Sequence, residues 1–237
     1  MIYGYIPMPE TRLSLNEIEA LSKKATRGAG YSWGLAEEAG KINKWLAGRG
    51  VDSLPSLRHL LETYFSAKDR FCKPDPELPG WCPDGAVLCP VYTGCAMQDF
   101  YSRLPKEMRI RNLVSPAQLI GSVGLLSDRF KVGFEIRWHE TRILFRKDTF
   151  NIQGTGLNTE LAEETMIRIF PETGIPGGIR VSTEVMTALD KPEKVISGGF
   201  RVSTDVMNAL DNFTHKNYVP ASEKSRAGAG STLNDND

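Results

Sequence analysis

The chain has 237 residues, of which 41% are hydrophobic and 24% charged, so we expect a folded protein with a packed core. Lysine plus arginine and aspartate plus glutamate both number 29, and this neutral balance disfavours a general nucleic-acid binder. No apolar run approaches the roughly 20 residues of a membrane span. Residues 1–5 lack the basic and apolar regions of an export signal, so we expect a cytoplasmic protein.

The first third of the chain predicts three helices. The Ser14–Glu17 segment has the pattern of a capping box, and the helix that it starts is expected to end in the glycine turn at residues 28–30. Ser32 is expected to cap a second helix that ends at residues 48–50. A third helix is expected after Pro55. Together they predict a helical unit joined by short turns.

From residue 71 to about residue 105, frequent prolines and glycines predict a long structured loop region. Loops of this length in compact domains are often binding loops or lids. Within the region, the short apolar run at residues 86–89 predicts a buried strand.

Strict alternation of apolar and polar residues from Phe130 to His139 predicts a half-buried antiparallel strand. Residues 142–146 and 150–153 predict its partners. Residues 165–170 predict a further strand, preceded by a short acidic helix near residues 160–164.

Residues 178–190 recur at residues 199–211, with ten of thirteen positions identical. Each copy predicts a short strand, a serine or threonine cap and a helix. Two copies are fewer than the roughly three that a solenoid needs, so we interpret them as a local duplication. The polar tail from residue 221 is expected to be flexible or ordered by a partner.

The sequence contains no phosphate-binding loop, zinc-protease motif or nucleophile elbow, so nothing in it calls for NAD, ATP or another cofactor. The four cysteines are spaced more widely than the close pairs of zinc sites, so we predict no metal. In a reducing compartment they are expected to stay ordinary thiols.

His215 opens the segment richest in catalytic residue types, and we predict that it acts as a general acid or base. The other polar members of this segment are Tyr218, Glu223 and Arg226. The alternative is that His215 only offsets the dipole at a helix end. Of the remaining histidines, His59 is interpreted as a helix-face residue and His139 as the solvated end of a strand.

Two other places could contribute to a site. Cys89 stands at a predicted strand end and could act as a nucleophile if His215 lay near it, although a buried inert thiol is the alternative. Arg27, Gly28 and Gly30 precede the second helix, whose N-terminus could hold an anion. A tight turn between two helices explains the same glycines.

Several segments carry a family resemblance: residues 14–19, 27–30, 33–40, 88–90, 218–226, 228–230 and 234–237. With them the chain resembles an uncharacterised bacterial family of unknown function, over most of its length and most specifically at both ends. The resemblance implies kinship without an assigned activity or catalytic residues. The duplication departs from it, because one copy is expected before the Tyr-Val-Pro segment at residues 218–220.

We therefore predict an α+β fold in which an N-terminal helical unit packs on a mainly antiparallel sheet, followed by a C-terminal strand–helix repeat and a polar tail. Residues 1–220 are expected to form a single domain, helical over residues 1–70 and mixed over residues 71–220. The tail covers residues 221–237.

The leading functional hypothesis is a cytosolic enzyme that acts on a small polar or anionic metabolite by acid/base chemistry. His215 would be the acid or base, assisted by Tyr218 and Glu223, and Arg226 or Arg27 would bind a carboxylate. The alternative is a non-catalytic accessory subunit that docks its C-terminal tail into a partner protein. A protein partner or a homo-oligomer is left open, and neither nucleic acid nor a membrane is expected. The leading hypothesis requires the C-terminal segment to fold back over the helical front of the chain.

Overall fold

The structure is a computed structural model that describes residues 10–146, 149–171 and 199–217. These residues form six α-helices: α1 (Leu15–Gly28), α2 (Trp33–Ala47), α3 (Leu54–Ser66), α4 (Pro90–Asp99), α5 (Ala117–Phe130) and α6 (Thr204–His215). They also form nine strands: β1 (Glu10–Leu13), β2 (Phe71–Cys72), β3 (Val87–Leu88), β4 (Glu107–Val114), β5 (Val132–Trp138), β6 (Thr141–Arg146), β7 (Thr149–Gln153), β8 (Leu161–Pro171) and β9 (Phe200–Ser203).

Seven strands make the main sheet, in the order β2-β3-β4-β8-β5-β6-β7. The pairs β2–β3 and β3–β4 are parallel, and the other four pairs are antiparallel. β1 and β9 form a separate antiparallel pair. The predicted α+β fold with a mainly antiparallel sheet is therefore confirmed.

One face of the main sheet is covered by helices, with α5 lying between the sheet and α2. Two glycines on α5 allow the close approach: a Cβ atom at Gly121 would lie 2.7 Å from Ile42, and one at Gly124 would lie 2.3 Å from Trp45. The apolar residues of α2, α5 and the sheet form one continuous core. This packing leaves the opposite face of the sheet free of α2 and α5.

The two ends of the described chain meet. β9 pairs with β1, and α6 packs along α1. The second repeat copy thus forms the strand and capped helix predicted for it, with Ser203 Oγ accepting from the Val206 N–H. The first copy, at residues 178–190, and the tail from residue 221 lie outside the described residues.

The helix caps and helix starts predicted for the first third of the chain are confirmed. Ser14 and Glu17 form the predicted capping box at the start of α1, and Ser32 caps α2. α3 begins at Leu54 with Pro55 in its first turn. The strand predicted at residues 86–89 is present as the buried β3.

Three expectations need correction. Residues 161–164 do not form an acidic helix but begin β8, because Ala162 and Glu164 pair with residues of β4. The predicted loop region contains the helix α4, which starts at Pro90, since proline is favoured in a first helical turn. The polar face of β5 is not solvated throughout, because Glu135 is 0% exposed; His139, in the turn directly after the strand, is exposed as expected.

Residues 107–130 carry no predicted element but form β4 and α5, which lie at the centre of the fold. Within the three described stretches, no helix is long and apolar enough to cross a bilayer.

Candidate functional site

The turn between α1 and α2 connects two predicted site residues through Tyr31. Arg27 Nη1 donates a hydrogen bond of 2.7 Å to the Tyr31 carbonyl oxygen, and the Tyr31 hydroxyl lies 3.4 Å from Cys89 Sγ. Gly30 has a φ of 100°, a conformation that glycine adopts at little cost. Arg27, Gly30 and Cys89 therefore lie around one packed tyrosine.

Cys89 is 0% exposed at the start of α4. Burial raises the pKa of its thiol, because a thiolate in a low-dielectric interior loses its hydration. Burial likewise raises the pKa of the Tyr31 hydroxyl. A neutral, buried thiol is a poor nucleophile, so these surroundings favour the inert alternative for Cys89.

His215 is exposed in the last turn of α6, at the end of the molecule where α1 also ends. The two helix ends touch: Asn217 Nδ2 donates to the Lys24 carbonyl oxygen at 2.7 Å, and Gly28 lies directly against the Phe213 carbonyl. The described residues up to Asn217 therefore lie against α1, while the rest of the C-terminal segment lies outside the described residues. Three predicted site residues lie beyond the described part of the chain: Tyr218, Glu223 and Arg226.

His59 of α3 makes polar contacts through both ring nitrogens. Its Nδ1 lies 2.9 Å from Ser115 Oγ, while its Nε2 lies 3.4 Å from Thr63 Oγ1 and 3.7 Å from Glu160 Oε2. Thr63 follows His59 by one helical turn, so the two side chains share a face of α3. The imidazole is thus held between a helix partner and two residues that lie just outside strands β4 and β8.

Ser115 occupies the sharp turn from β4 into α5. Its φ of 47° is left-handed, which is uncommon for residues other than glycine and often marks a functional position. Its N–H donates to the Glu160 carbonyl oxygen at 2.7 Å, and its carbonyl accepts from the Gln118 N–H at 3.0 Å. Because these bonds fix the backbone on both sides, the hydroxyl is held towards His59.

A small pocket opens beside this imidazole, with a volume of about 150 Å³. In the described part of the chain, four polar side chains line it: His59, Thr63, Arg70 and Glu160. Apolar residues such as Phe71 and Leu161 complete the wall. Ser115 does not line the pocket and is 0% exposed, so it holds the imidazole from behind.

Sequence reasoning missed this site because its members are distant along the chain. Ser115 and His59 are 56 residues apart, and only the sheet order brings Glu160 beside them. A weak signal was available in the spacing of His59 and Thr63, which places a second polar side chain on the same helix face. The Ser115-Pro116 pair was a second weak signal, since a residue before proline is restricted away from the helical region.

All four cysteines are free thiols, and Cys72 Sγ lies 3.3 Å from Cys82 Sγ. No group of three or more His, Cys, Asp or Glu residues in the described ranges is arranged to hold a metal ion.

Comparison with known proteins gives one finding. Residues 13–102 match the family model described as "Protein of unknown function (DUF3726)". This match confirms the resemblance to an uncharacterised family, and it includes His59, Thr63 and Arg70 but not Ser115 or Glu160. No curated protein and no solved structure matches the chain.

Proposed function

We propose that the protein is an enzyme that acts on a small polar or anionic metabolite by acid/base chemistry at His59. The observation that carries the proposal is the imidazole of His59, which lines the pocket, bonds to buried Ser115 through Nδ1 and lies near the pocket residues Thr63 and Glu160 through Nε2. Histidine is the usual general acid or base near neutral pH. The pocket supplies a place for a substrate next to it.

The two ring nitrogens would have different roles. With Nδ1 protonated and donating to Ser115 Oγ, Nε2 carries the lone pair that accepts a proton from the substrate. The resulting imidazolium would be stabilised by Glu160, whose Oε2 lies 3.7 Å away. The same Nε2–H can then return the proton to the product. Ser115 is a positioning residue in this scheme.

Arg70 gives the pocket its preference for anions. Among the described residues it is the one guanidinium in the pocket wall, and arginine binds carboxylate and phosphate oxygens through paired N–H groups. The volume of about 150 Å³ is below the range of roughly 300–1,000 Å³ typical of sites for drug-sized ligands. The substrate we propose is therefore a small carboxylic acid or phosphate compound with few heavy atoms.

A cytoplasmic location belongs to the same proposal. Its support is that all four cysteines are free thiols, as is usual in a reducing compartment.

Thermal-shift measurements on the full chain test the proposal with acetate, lactate, malonate and inorganic phosphate as probes. At least one probe should raise the melting temperature, and the rise should be lost in His59→Gln and in Arg70→Gln. Arg58→Gln is the matched control, because Arg58 is on the same helix but pairs with Glu62 at the surface. No shift with any probe, or an equal shift in all variants, would refute the site.

The accessory-subunit hypothesis stays a prediction, since its tail lies outside the described residues. One observation favours a protein partner: an open groove of about 490 Å³ between α3 and α6 exposes Phe65, 54% accessible, beside Lys216. Deleting residues 221–237 tests it. Loss of a co-purifying partner, with ligand-induced stabilisation retained, would favour the accessory subunit over the enzyme.

A further inference from the structure

Two of the four cysteines lie side by side at one edge of the main sheet. Cys72 belongs to the edge strand β2, and Cys82 ends the loop that leaves this strand. Their sulfur atoms are 3.3 Å apart, and both are free thiols. The two sulfur atoms of a disulfide lie about 2.05 Å apart, so a small rotation of the side chains brings the pair to bonding distance.

The loop between the two cysteines has a strained backbone just before Cys82. Gly80 and Trp81 have φ values of 70° and 61°, in the left-handed region that is unusual for a bulky residue such as tryptophan. The Trp81 carbonyl accepts from the Asp75 N–H at 3.1 Å, and the Trp81 side chain is buried. Strained backbone of this kind persists only where surrounding contacts hold it, and it is often found at functional positions. These contacts return the chain to β2 at Cys82.

Neighbouring strands hold the pair from outside the loop. Arg111 of β4 donates from Nη2 to the Pro79 carbonyl oxygen at 3.1 Å. The same side chain fills the space beside Gly80, where a Cβ atom would lie 2.5 Å from Arg111 Nε. On the other side, Cys72 Sγ lies 3.6 Å from the carbonyl oxygen of Val87 on β3. The two sulfur atoms thus meet between backbones that are each fixed by adjacent strands.

The two thiols differ in their access to solvent. Cys82 is 3% exposed, whereas Cys72 is partly exposed. Burial and the hydrogen bond with Cys72 raise the pKa of Cys82 to about 12, so Cys82 stays a neutral thiol near neutral pH. An oxidant in solution therefore reaches Cys72 first. An accessible cysteine next to a second, resolving cysteine is the usual arrangement of a redox-sensing pair.

We propose that Cys72 and Cys82 form a reversible redox site that reacts with hydroperoxides to give a disulfide. The Cys72 thiolate attacks the outer oxygen of the hydroperoxide and becomes a sulfenic acid, while the proton that Cys72 lost goes to the departing alkoxide. Cys82 Sγ then attacks the Cys72 sulfur, and its proton leaves with the hydroxyl group as water. The two thiols together give two electrons, which reduce the O–O bond.

The bond is reversible because a small thiol or a dithiol reopens it by thiol–disulfide exchange. It closes a ring over residues 72–82 and so ties the edge strand β2 to the loop. No residue of the pair lines the His59 pocket, so this site does not depend on the proposed function.

The test treats the full chain with a small molar excess of hydrogen peroxide, blocks the remaining thiols with iodoacetamide and digests the product after glutamate. Cleavage at Glu77, between the two cysteines, leaves two peptides that only a disulfide keeps together. Fragmentation of the joined peptides by mass spectrometry identifies the cysteine bonded to Cys72. We expect Cys72 bonded to Cys82 in a monomeric chain, and separate peptides after reduction with dithiothreitol.

Cys82→Ser should abolish the link and let sulfenic acid accumulate at Cys72, where dimedone traps it. Cys72→Ser should also abolish the link, and it keeps the proposal testable if Cys82→Ser does not fold. Cys95→Ser is the matched control and should leave the link unchanged, since Cys95 is a partly exposed thiol on α4.

Three results would overturn the proposal. The first is that iodoacetamide still alkylates both Cys72 and Cys82 after the peroxide treatment. The second is oxidation of Cys72 without a bond to Cys82. The third is a bond from Cys72 to a different cysteine or to a second chain.

Discussion

Gly28 is the residue at which the two ends of the described chain come closest. A Cβ atom there would lie 1.8 Å from the Phe213 carbonyl oxygen, a distance that requires one backbone to move. We predict that Gly28→Ala lowers the free energy of unfolding by about 1–3 kcal/mol, as overpacking usually does. Urea titration followed by tryptophan fluorescence measures this change.

Gly34→Ala is the control for that measurement. Its Cβ atom would meet nothing within 4 Å, and alanine in a helix is favoured over glycine by about 0.5–1 kcal/mol. It should therefore leave the protein as stable or make it slightly more stable. Equal destabilisation by the two substitutions would show that α1 and α6 do not pack as described.

The environment of Cys89 leads to a prediction about thiol reactivity. Burial raises the pKa of Cys89, and the side chain has no exposed surface, so both the thiolate and the access that alkylation needs are lacking. Iodoacetamide at neutral pH should modify Cys89 only after denaturation, while the partly exposed Cys72 reacts first. Peptide mass mapping gives the order, and rapid native labelling of Cys89 would restore it as a nucleophile candidate.

The roles of single residues can be predicted from the sequence where their partners are close along the chain. Ser14, Ser32 and Ser203 each sit within three residues of the N–H group that they cap, so spacing alone identifies them. The contact between His59 and Ser115 has no such local signature, because it depends on how α3 lies against the turn between β4 and α5.

At the scale of one element, the capping box at the start of α1 leads to a prediction about stability. Ser14→Ala should lower the free energy of unfolding by about 0.5–2 kcal/mol, since the Glu17 N–H loses its acceptor. Ser102→Ala, at an exposed serine, is the control and should have little effect. Thermal denaturation measures both.

The same capping box makes stability depend on pH. The Ser14 N–H donates to Glu17 Oε2 at 2.7 Å, and this bond lowers the pKa of the Glu17 carboxyl. The folded state therefore holds the charged form more firmly than the unfolded state, and the stabilisation is present above the ordinary pKa of glutamate and is lost as pH falls. The difference in melting temperature between wild type and Glu17→Gln should shrink between about pH 5 and pH 3. A difference that grows on acidification would contradict this.

The sequence predicts helices and strands correctly where hydrophobic periodicity or helix caps are clear. It fails where pairing with a distant strand determines the secondary structure. The alternation around Phe134 predicts β5, and β6 and β7 follow it as expected. Residues 161–164 look helical by composition but join β8, because β4 supplies hydrogen-bond partners for them. Pro90 lies among prolines and glycines that predict a loop, yet it begins α4.

At the scale of the whole molecule, α6 connects the C-terminal residues to the helical front. Leu210 is 0% exposed in this contact, so Leu210→Ala should cost about 2–5 kcal/mol through lost burial and a residual cavity. Exposed Asn208 on the same helix provides the control, Asn208→Ala. We expect one cooperative transition in both far-UV circular dichroism and tryptophan fluorescence. Two separate transitions would argue against the single domain predicted over residues 1–220.

The fold class could be predicted from the sequence, but the sheet order could not. Placing β8 between β4 and β5 requires pairing strands that are far apart in the chain, and hydrophobic alternation does not specify partners. The His59 site depends on that order, since the pairing of β4 with β8 brings Ser115 to Glu160.

The most direct test of the His59 site is an NMR titration that follows the ring nitrogens of the chain's three histidines. A small carboxylate identified by thermal shift should perturb the Nε2 resonance of His59, leave His139 and His215 unchanged, and lose this effect in Arg70→Gln. If His215 responds and His59 does not, the pocket at His59 is not the site of acid/base chemistry.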